Sequence, residues 1–409
     1  MPHQFSVVFI SDIHPSMQHV SAQRVWNFAC QLALAGRKVT ILTQVETDHL
    51  APTQVDELSE IVMSHDWKSP LIVTTSVPKN TLLSNARTGK IPWGLRQAVL
   101  AAAQFRRGGH FQDWFDAARS LSRAVSETIK PNVVIGTFGN LGNWAIAQTL
   151  AAQSGCPWIG DLKDNWRVFS LPGFRHYNAF RFRNMAHMTT YSYTHAEIAA
   201  QFFSTEKSVV YSGYHKIENS SEMTSIPRGF MFSGSLYGTN KLRMIFDGME
   251  MWAGQHERTG RRQSLKLIYA GNEGARLNAL AKSFGDLFSV FDLGYLDPID
   301  LMRAHRRAIC NIYIVNPNSL FQQKFFDLVS VDRPIISVPK EGDEAIGIAE
   351  FLGAKYFGCE NASDVARSIE AAFSAQDGGL NQDAVKTYSW AQQASRLGSV
   401  LDHVIGARR

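Results

Sequence analysis

The sequence predicts two Rossmann-like α/β lobes, each built on a doubly wound parallel sheet, facing each other across a cleft. Three observations point there. A chain of 409 residues exceeds what one hydrophobic core usually holds, so two domains of about 150 to 200 residues are expected. Short apolar runs alternate with amphipathic stretches in two successive series, separated by a polar break. No segment recurs at a fixed period, which excludes a solenoid.

Residues 5–10 (FSVVFI) form an apolar, mostly β-branched run, followed by polar SDIHPSMQ and an amphipathic stretch over 21–34. This reads as strand, loop and helix. Ala35-Gly36-Arg37 places a glycine where a helix terminates, and 38–42 is a second strand, so the chain opens on a βαβ unit with parallel strands. The pattern recurs at 132–135, 143–153 and 156–159, then at 188–191, 194–203 and 208–211. The first lobe therefore spans 1–213. Within it, 131–160 is long and uncharged enough to cross a bilayer, but Gly136, Gly139, Asn140 and Gly142 interrupt it and favour strand, turn and helix.

Residues 214–228 are polar and suit a linker. The second lobe, 229–387, has strands at 229–233, 265–270, 288–291, 308–315 and 334–338, with helices at 241–256, 275–284, 297–307 and 323–329. The last segment, 388–409, sets Trp390, Ala394, Leu397 and Leu401 on one face of an amphipathic helix.

Composition narrows the function. With 45% hydrophobic and 19% charged residues the chain is an ordinary globular protein. A net charge of +5 lacks the focused basic stripe of a nucleic-acid binder. Cys30, Cys156, Cys310 and Cys359 form no CxxC pair, so neither a zinc site nor a disulfide framework is indicated. No basic region or cleavage site precedes FSVVFISD, and the expected location is cytoplasmic.

The richest stretch is 316–338, NPNSLFQQKFFDLVSVDRPIISV. A polar loop leads into a helix bearing Lys324 and Asp327. The helix N-terminus and Lys324 suit phosphate, and Asp327 suits ribose hydroxyls; a solvated ion pair is the plainer alternative. Together with FMFSGSLYGTNKL, LKLIYAGN and VFDLGYLDPIDLMRAHRRAICNIYIV, in this order, it resembles the donor half of retaining GT-B glycosyltransferases of family 4. The opening strand and helix, CPWIGDLKDNW, MTTYSYTHAEIAAQF and the YSW helix resemble the other half. That helix, 388–409, would then complete the first, acceptor lobe, while 229–387 binds the donor.

The resemblance implies a sugar transfer from a UDP- or GDP-linked donor to a glycan or lipid-linked acceptor, as in cell-surface polysaccharide synthesis. No cofactor or metal is implied, and the chain contains no Asp-x-Asp pair. Lys241, after Gly234-Ser235, would neutralise the donor pyrophosphate, with Lys324 beside the donor sugar and phosphate. Gly271 and the Gly294-Tyr295-Leu296 loop would meet the nucleotide, and Asp327 its ribose. On the acceptor side stand His14, Asp161 and Asp164, with Asp164, Lys241 and Lys324 as catalytic candidates. Each has a structural alternative: turn glycines, a solvated lysine, a helix-capping aspartate.

The sequence also departs from the family. SMQHVSAQ lacks the first-loop glycine pair, Ser235 replaces a phosphate-binding arginine, and Ser319 and Asp327 stand where paired glutamates are usual. These departures keep two other readings open: a UDP-sugar 2-epimerase of the same fold, and a non-catalytic scaffold. Finally, 87–123 holds seven Arg or Lys against two Asp, interleaved with aromatics. It suits either a helix lying on an anionic membrane, which would place the protein on the inner face, or a basic helix whose aromatics enter the core.

Overall fold

The structure, a computed structural model, describes residues 5–17, 19–45, 51–214, 226–257, 264–375 and 379–407. Most of the expected linker, 215–225, lies outside the described residues, as do the last two positions of the terminal segment. By its internal contacts the chain divides into two units. One comprises 1–212 together with 390–409, and the other 213–389.

The first unit carries β1 (Ser6–Ile10), β2 (Lys38–Gln44), β3 (Leu71–Thr75), β4 (Val133–Phe138), β5 (Trp158–Leu162), β6 (His187–Thr190) and β7 (Lys207–Val209). They form one parallel sheet in the order β3-β2-β1-β4-β5-β6-β7. Both faces are covered, which is why β1 is buried along its whole length and reads as a continuous apolar run. Alternate residues serve different cores. Val8 and Ile10 pack with Trp114, Trp144 and Trp166 on one face, and Val7 and Phe9 pack with Val25, Phe28 and Leu32 on the other.

That second face is closed by the helix Trp390–Gly406. Its Trp390 ring meets Phe28 edge-on at 5.4 Å, Leu397 and Leu401 are buried in the same cluster, and Arg37 pairs with Asp402 at 2.8 Å. The last helix thus supplies part of the first unit's core.

The second unit carries β8 (Phe230–Ser233), β9 (Leu265–Ala270), β10 (Phe288–Asp292), β11 (Cys310–Ile314), β12 (Ile335–Val338) and β13 (Tyr356–Gly358). They are parallel in the order β10-β9-β8-β11-β12-β13. In each sheet the winding reverses once, between β1 and β4 in the first and between β8 and β11 in the second. Such a reversal splays the following loops apart and opens a crevice at the carboxyl ends of the strands.

The stretch 87–123 is not one helix. It contains Trp93–Gln104 and the beginning of Gln112–Ile129, joined by a short 3-10 turn. Trp114 and Phe115 of the later helix enter the core, whereas Trp93 and Phe105 stay exposed. The expectation of aromatics entering the core therefore holds for the later helix, and the earlier one leaves its aromatics on the surface. Among the described residues no helix is long and apolar enough to cross a membrane.

Candidate functional site

In the second unit the charged candidates gather where the winding reverses. The helix Gln323–Ser330 buries Phe325, Phe326, Leu328 and Val329. The rings of Phe321 and Phe325 lie 5.4 Å apart and those of Phe325 and Phe326 5.7 Å apart, which fixes the rotation of the helix. Lys324 and Asp327, three residues apart, share the remaining face. Lys324 donates to the carbonyl of Ser233, the last residue of β8. Lys241, in the first turn of the helix Thr239–Glu257, donates to the carbonyl of Val315, just past β11, at 2.9 Å. The two ammonium groups are therefore held on the carbonyl ends of the two strands that flank the reversal.

Their surroundings are strained electrostatically. Burial pushes Lys324 down to about 8, against the pull of Asp327. Burial likewise pushes Asp327 up to about 7, against a Gln323 hydrogen bond and the Lys324 charge. Asp327 Oδ1 has no hydrogen-bond partner among the described residues. Burial also lowers Lys241, opposed by Glu341. An anion beside these lysines and a hydroxyl donor beside Asp327 would relieve both costs.

Glu341 was missed from sequence. It is buried at the carboxyl end of β12, accepts from the Tyr313 hydroxyl, and Tyr313 in turn accepts from Gln322 Nε2 at 3.0 Å. Burial raises its pKa, with Tyr313 opposing first. Its position just after a buried strand was the only sequence signal. Arg276 is a second omission. Ser235 leaves the Gly234 loop without an arginine of its own, yet Arg276 Nη1 donates to Leu236 O at 2.7 Å while paired with Glu273 at 2.6 Å. A guanidinium reaches the loop from the helix Gly274–Lys282, which follows β9.

The loops after β8, β9 and β10 are stitched together by backbone contacts. Gly271 N donates to Gly294 O at 2.8 Å, Gly234 N to Ala270 O at 2.8 Å, and the Tyr269 hydroxyl to Gly234 O at 2.9 Å. Gly271 has φ +153°, and a Cβ there would lie 2.4 Å from Tyr269 Oη, so only glycine fits the approach. Beyond Gly294, Tyr295 is exposed and Leu296 packs into a small apolar cluster with Met231 and Ile268. Ser319 turns its hydroxyl back to Phe321 O at 2.7 Å, within its own loop.

In the first unit the same rule leads to the loops after β1, β4 and β5. Lys163 pairs with Asp164 at 2.6 Å, and Asp12 accepts from Asn143 Nδ2 at 2.8 Å. A Cβ on Gly139 would lie 3.8 Å from Asp12 Oδ1 and 4.0 Å from Lys163 Nζ, so these groups flank the end of β4. His19 belongs to this cluster: burial and Lys163 lower its pKa, with Asp12 and Asp164 opposing. His14 instead has Ser16 Oγ within 2.5 Å of its Nδ1 in a local turn.

Asp161, expected on the acceptor side, is tied into a buried network of its own unit. Its carboxylate takes two hydrogen bonds from Arg24, at 2.8 and 3.0 Å, and one from Thr189 at 2.9 Å. Arg24 also donates to Ser212 and to the carbonyl of Val210, and both members of the pair are buried. Both oxygens of Asp161 are thus engaged within the unit. Asp164, three residues on, is more open, and the capping of the following turn falls to Asn165.

A cavity of about 340 Å³ lies elsewhere in the second unit, lined by Trp252, His256, Leu265 and Phe373. It opens beside the amino-terminal ends of β8 and β9, the opposite edge of the sheet from the lysines. Among the described residues no three His, Cys, Asp or Glu side chains converge in a metal-binding cluster.

No protein-family model matches the chain, and no curated protein matches it. Solved structures do. Sucrose-phosphate synthase from Thermosynechococcus elongatus superposes with a TM-score of 0.67 at 12% identity, over 98% of this chain and 100% of that one. HepE from Anabaena, solved with UDP and glucose, gives 0.63 at 10%, over 98% and 100%. The fold is GT-B. A Listeria monocytogenes protein assigned as a UDP-N-acetylglucosamine 2-epimerase gives 0.53 at 12% identity, over 98% and 96%, so the fold by itself does not select a reaction.

Proposed function

We propose that this protein is a retaining, metal-independent glycosyltransferase of the family 4 type, moving a sugar from a UDP- or GDP-linked donor to a glycan or lipid-linked acceptor. One observation carries the reading. Lys241 and Lys324 bracket the carbonyl ends of β8 and β11, beside an Asp327 oxygen that lacks a partner among the described residues. That is a placement for a diphosphate and a ribose. HepE, of the same fold, was solved with UDP and glucose bound.

In this reading the two ammonium groups take up the negative charge that grows on the leaving diphosphate. The bond from the anomeric carbon to the phosphate oxygen breaks as the bond to the acceptor oxygen forms on the same face. The acceptor hydroxyl passes its proton to the departing diphosphate. No carboxylate nucleophile is required, and in the first unit Asp164 is the acceptor-side candidate, with His19 and Lys163 around it. Gly294, Tyr295 and Leu296 would flank the base, and Gly234 and Gly271 would let the backbone approach the phosphates.

Thermal shift across nucleoside diphosphates tests the donor site. A matching nucleotide at a hundred times its Kd should stabilise the protein by about 2.7 kcal/mol. Lys324→Ala should remove most of that effect. A flat response to every nucleotide would sink the proposal and favour a scaffold. The epimerase reading, which the Listeria protein's shared fold keeps alive, is separated by incubation with a nucleotide sugar alone: an epimerase converts it without an acceptor.

A further inference from the structure

We infer that the helix Trp93–Gln104 and the segment 166–183 form one docking face for an anionic lipid bilayer. The first stretch alone was singled out by composition; the second joins it only in the folded chain. Phe105, which follows the helix, meets Phe174 at 5.4 Å and Tyr177 at 6.1 Å between ring centroids. Arg181 ties the two backbones together, donating to the carbonyls of Arg106 and Arg107 at 2.8 and 2.5 Å.

The face is apolar where a surface helix should be polar. Trp93 is 76% exposed, Phe105 67%, Phe180 63% and Phe169 53%. Between Trp93 and Phe105 the exposed arc of the helix holds Gly94, Ala98, Ala101 and Ala102, with Gln97 as its polar member. At 1.5 Å per residue the two aromatics stand roughly 18 Å apart, a span suited to lying in the plane of a bilayer. Exposed apolar surface of this extent, held in place by aromatic contacts and backbone ties, marks a site of interaction.

Charge identifies the occupant. Residues 88–112 contain Lys90, Arg96, Arg106 and Arg107, and 165–184 contain Arg167, Arg175, Arg181 and Arg183; neither stretch contains a single Asp or Glu. A second copy docking through this face would set cations against cations. An anionic leaflet satisfies both the aromatics and the cations. The segment begins two residues after Asp164, so the docked surface adjoins the acceptor-side candidates. If the transferase reading holds, the acceptor class is a lipid-linked glycan presented by the bilayer. That last step rests on the proposed function, and the docking does not.

The test is co-sedimentation of the full chain with vesicles of phosphatidylcholine alone or mixed with phosphatidylglycerol, at low and high salt, beside a vesicle-free control. The protein should pellet with the mixed vesicles at low salt, be released by high salt, and ignore phosphatidylcholine. Trp93→Ser with Phe105→Ser, and separately Arg106→Glu with Arg107→Glu, should each cut binding, by roughly fivefold or more per reversed charge in the second case. Both variants should keep the nucleotide-dependent thermal shift of the parent. Absence from the mixed vesicles at low salt, or undiminished binding in both variants, overturns the inference. Vesicle binding without any nucleotide shift supports the docking face and sinks the transferase reading instead.

Discussion

At the scale of single residues, proton linkage tests the site. Lys324 titrates near 8 in the free protein, and a bound diphosphate must raise that value. Its attraction is then complete below about pH 8 and fades as pH rises beyond it. Calorimetric affinity for the matching nucleotide should fall above pH 8 in the parent and lose this fall in Lys324→Ala. Asp327 acts on stability, and in the same direction with pH. Its folded pKa is raised to about 7, so its contribution is present at acid pH and lost as pH climbs through 7. Asp327→Asn should remove that part of the decline in melting temperature between pH 4 and 7.

Asp161 tests the other assignment. Asp161→Ala strands the Arg24 guanidinium in the core and should cost about 3 to 5 kcal/mol of first-unit stability in denaturant. A stable variant that merely loses acceptor use would restore the ligand role. The sequence allowed either role for Asp161, because its decisive partner lies 137 residues away on the first helix. Lys324 and Asp327 were legible as a pair because they share a helix turn. The anchoring of Lys324 was not, since it reaches a carbonyl 91 residues upstream.

At the scale of elements, the second unit was read closely as far as β12. Its β-branched strands and glycine turns mark their own ends, and β9 falls on the expected boundaries. The helices Asp343–Leu352 and Ala362–Ser374 and the short β13 went unread, as did the edge strand β3. A three-residue strand such as Tyr356–Gly358 has too few positions to show alternation. The surface helix Trp93–Gln104 was blurred into its neighbour because both carry aromatics, and only burial separates Trp114 from Trp93.

The loop after β9 offers a test at this scale. Gly271→Ala forces a Cβ against Tyr269 Oη and should cost about 1 to 3 kcal/mol of local stability. It should also weaken nucleotide affinity, because Gly271 N donates to Gly294 O in the loop after β10. Unchanged nucleotide titrations in this variant would separate the stitched loops from the ligand.

At the scale of the molecule, the two units are unequal in how they are closed. The second is assembled from a continuous stretch, 213–389, whereas the first depends on 390–409. Deleting 390–409 should therefore expose Phe28, Leu32 and the faces of β1 and β2. Hydrogen exchange should accelerate along Val20–Leu34 and leave β8, β9 and β11 protected. Equal loss of protection in both units would contradict the division.

The same returning helix sets an order of events during synthesis. The 177 residues from 213 to 389 are made after the body of the first unit and before its closing helix. At 5 to 20 residues per second this takes roughly 9 to 35 seconds. For that interval the nascent first unit carries an uncovered strip formed by Val25, Phe28 and Leu32. The second unit meanwhile has all its strands and can settle first. The half of the protein that is translated earlier is thus completed later, and its waiting apolar strip is where a chaperone would find a client.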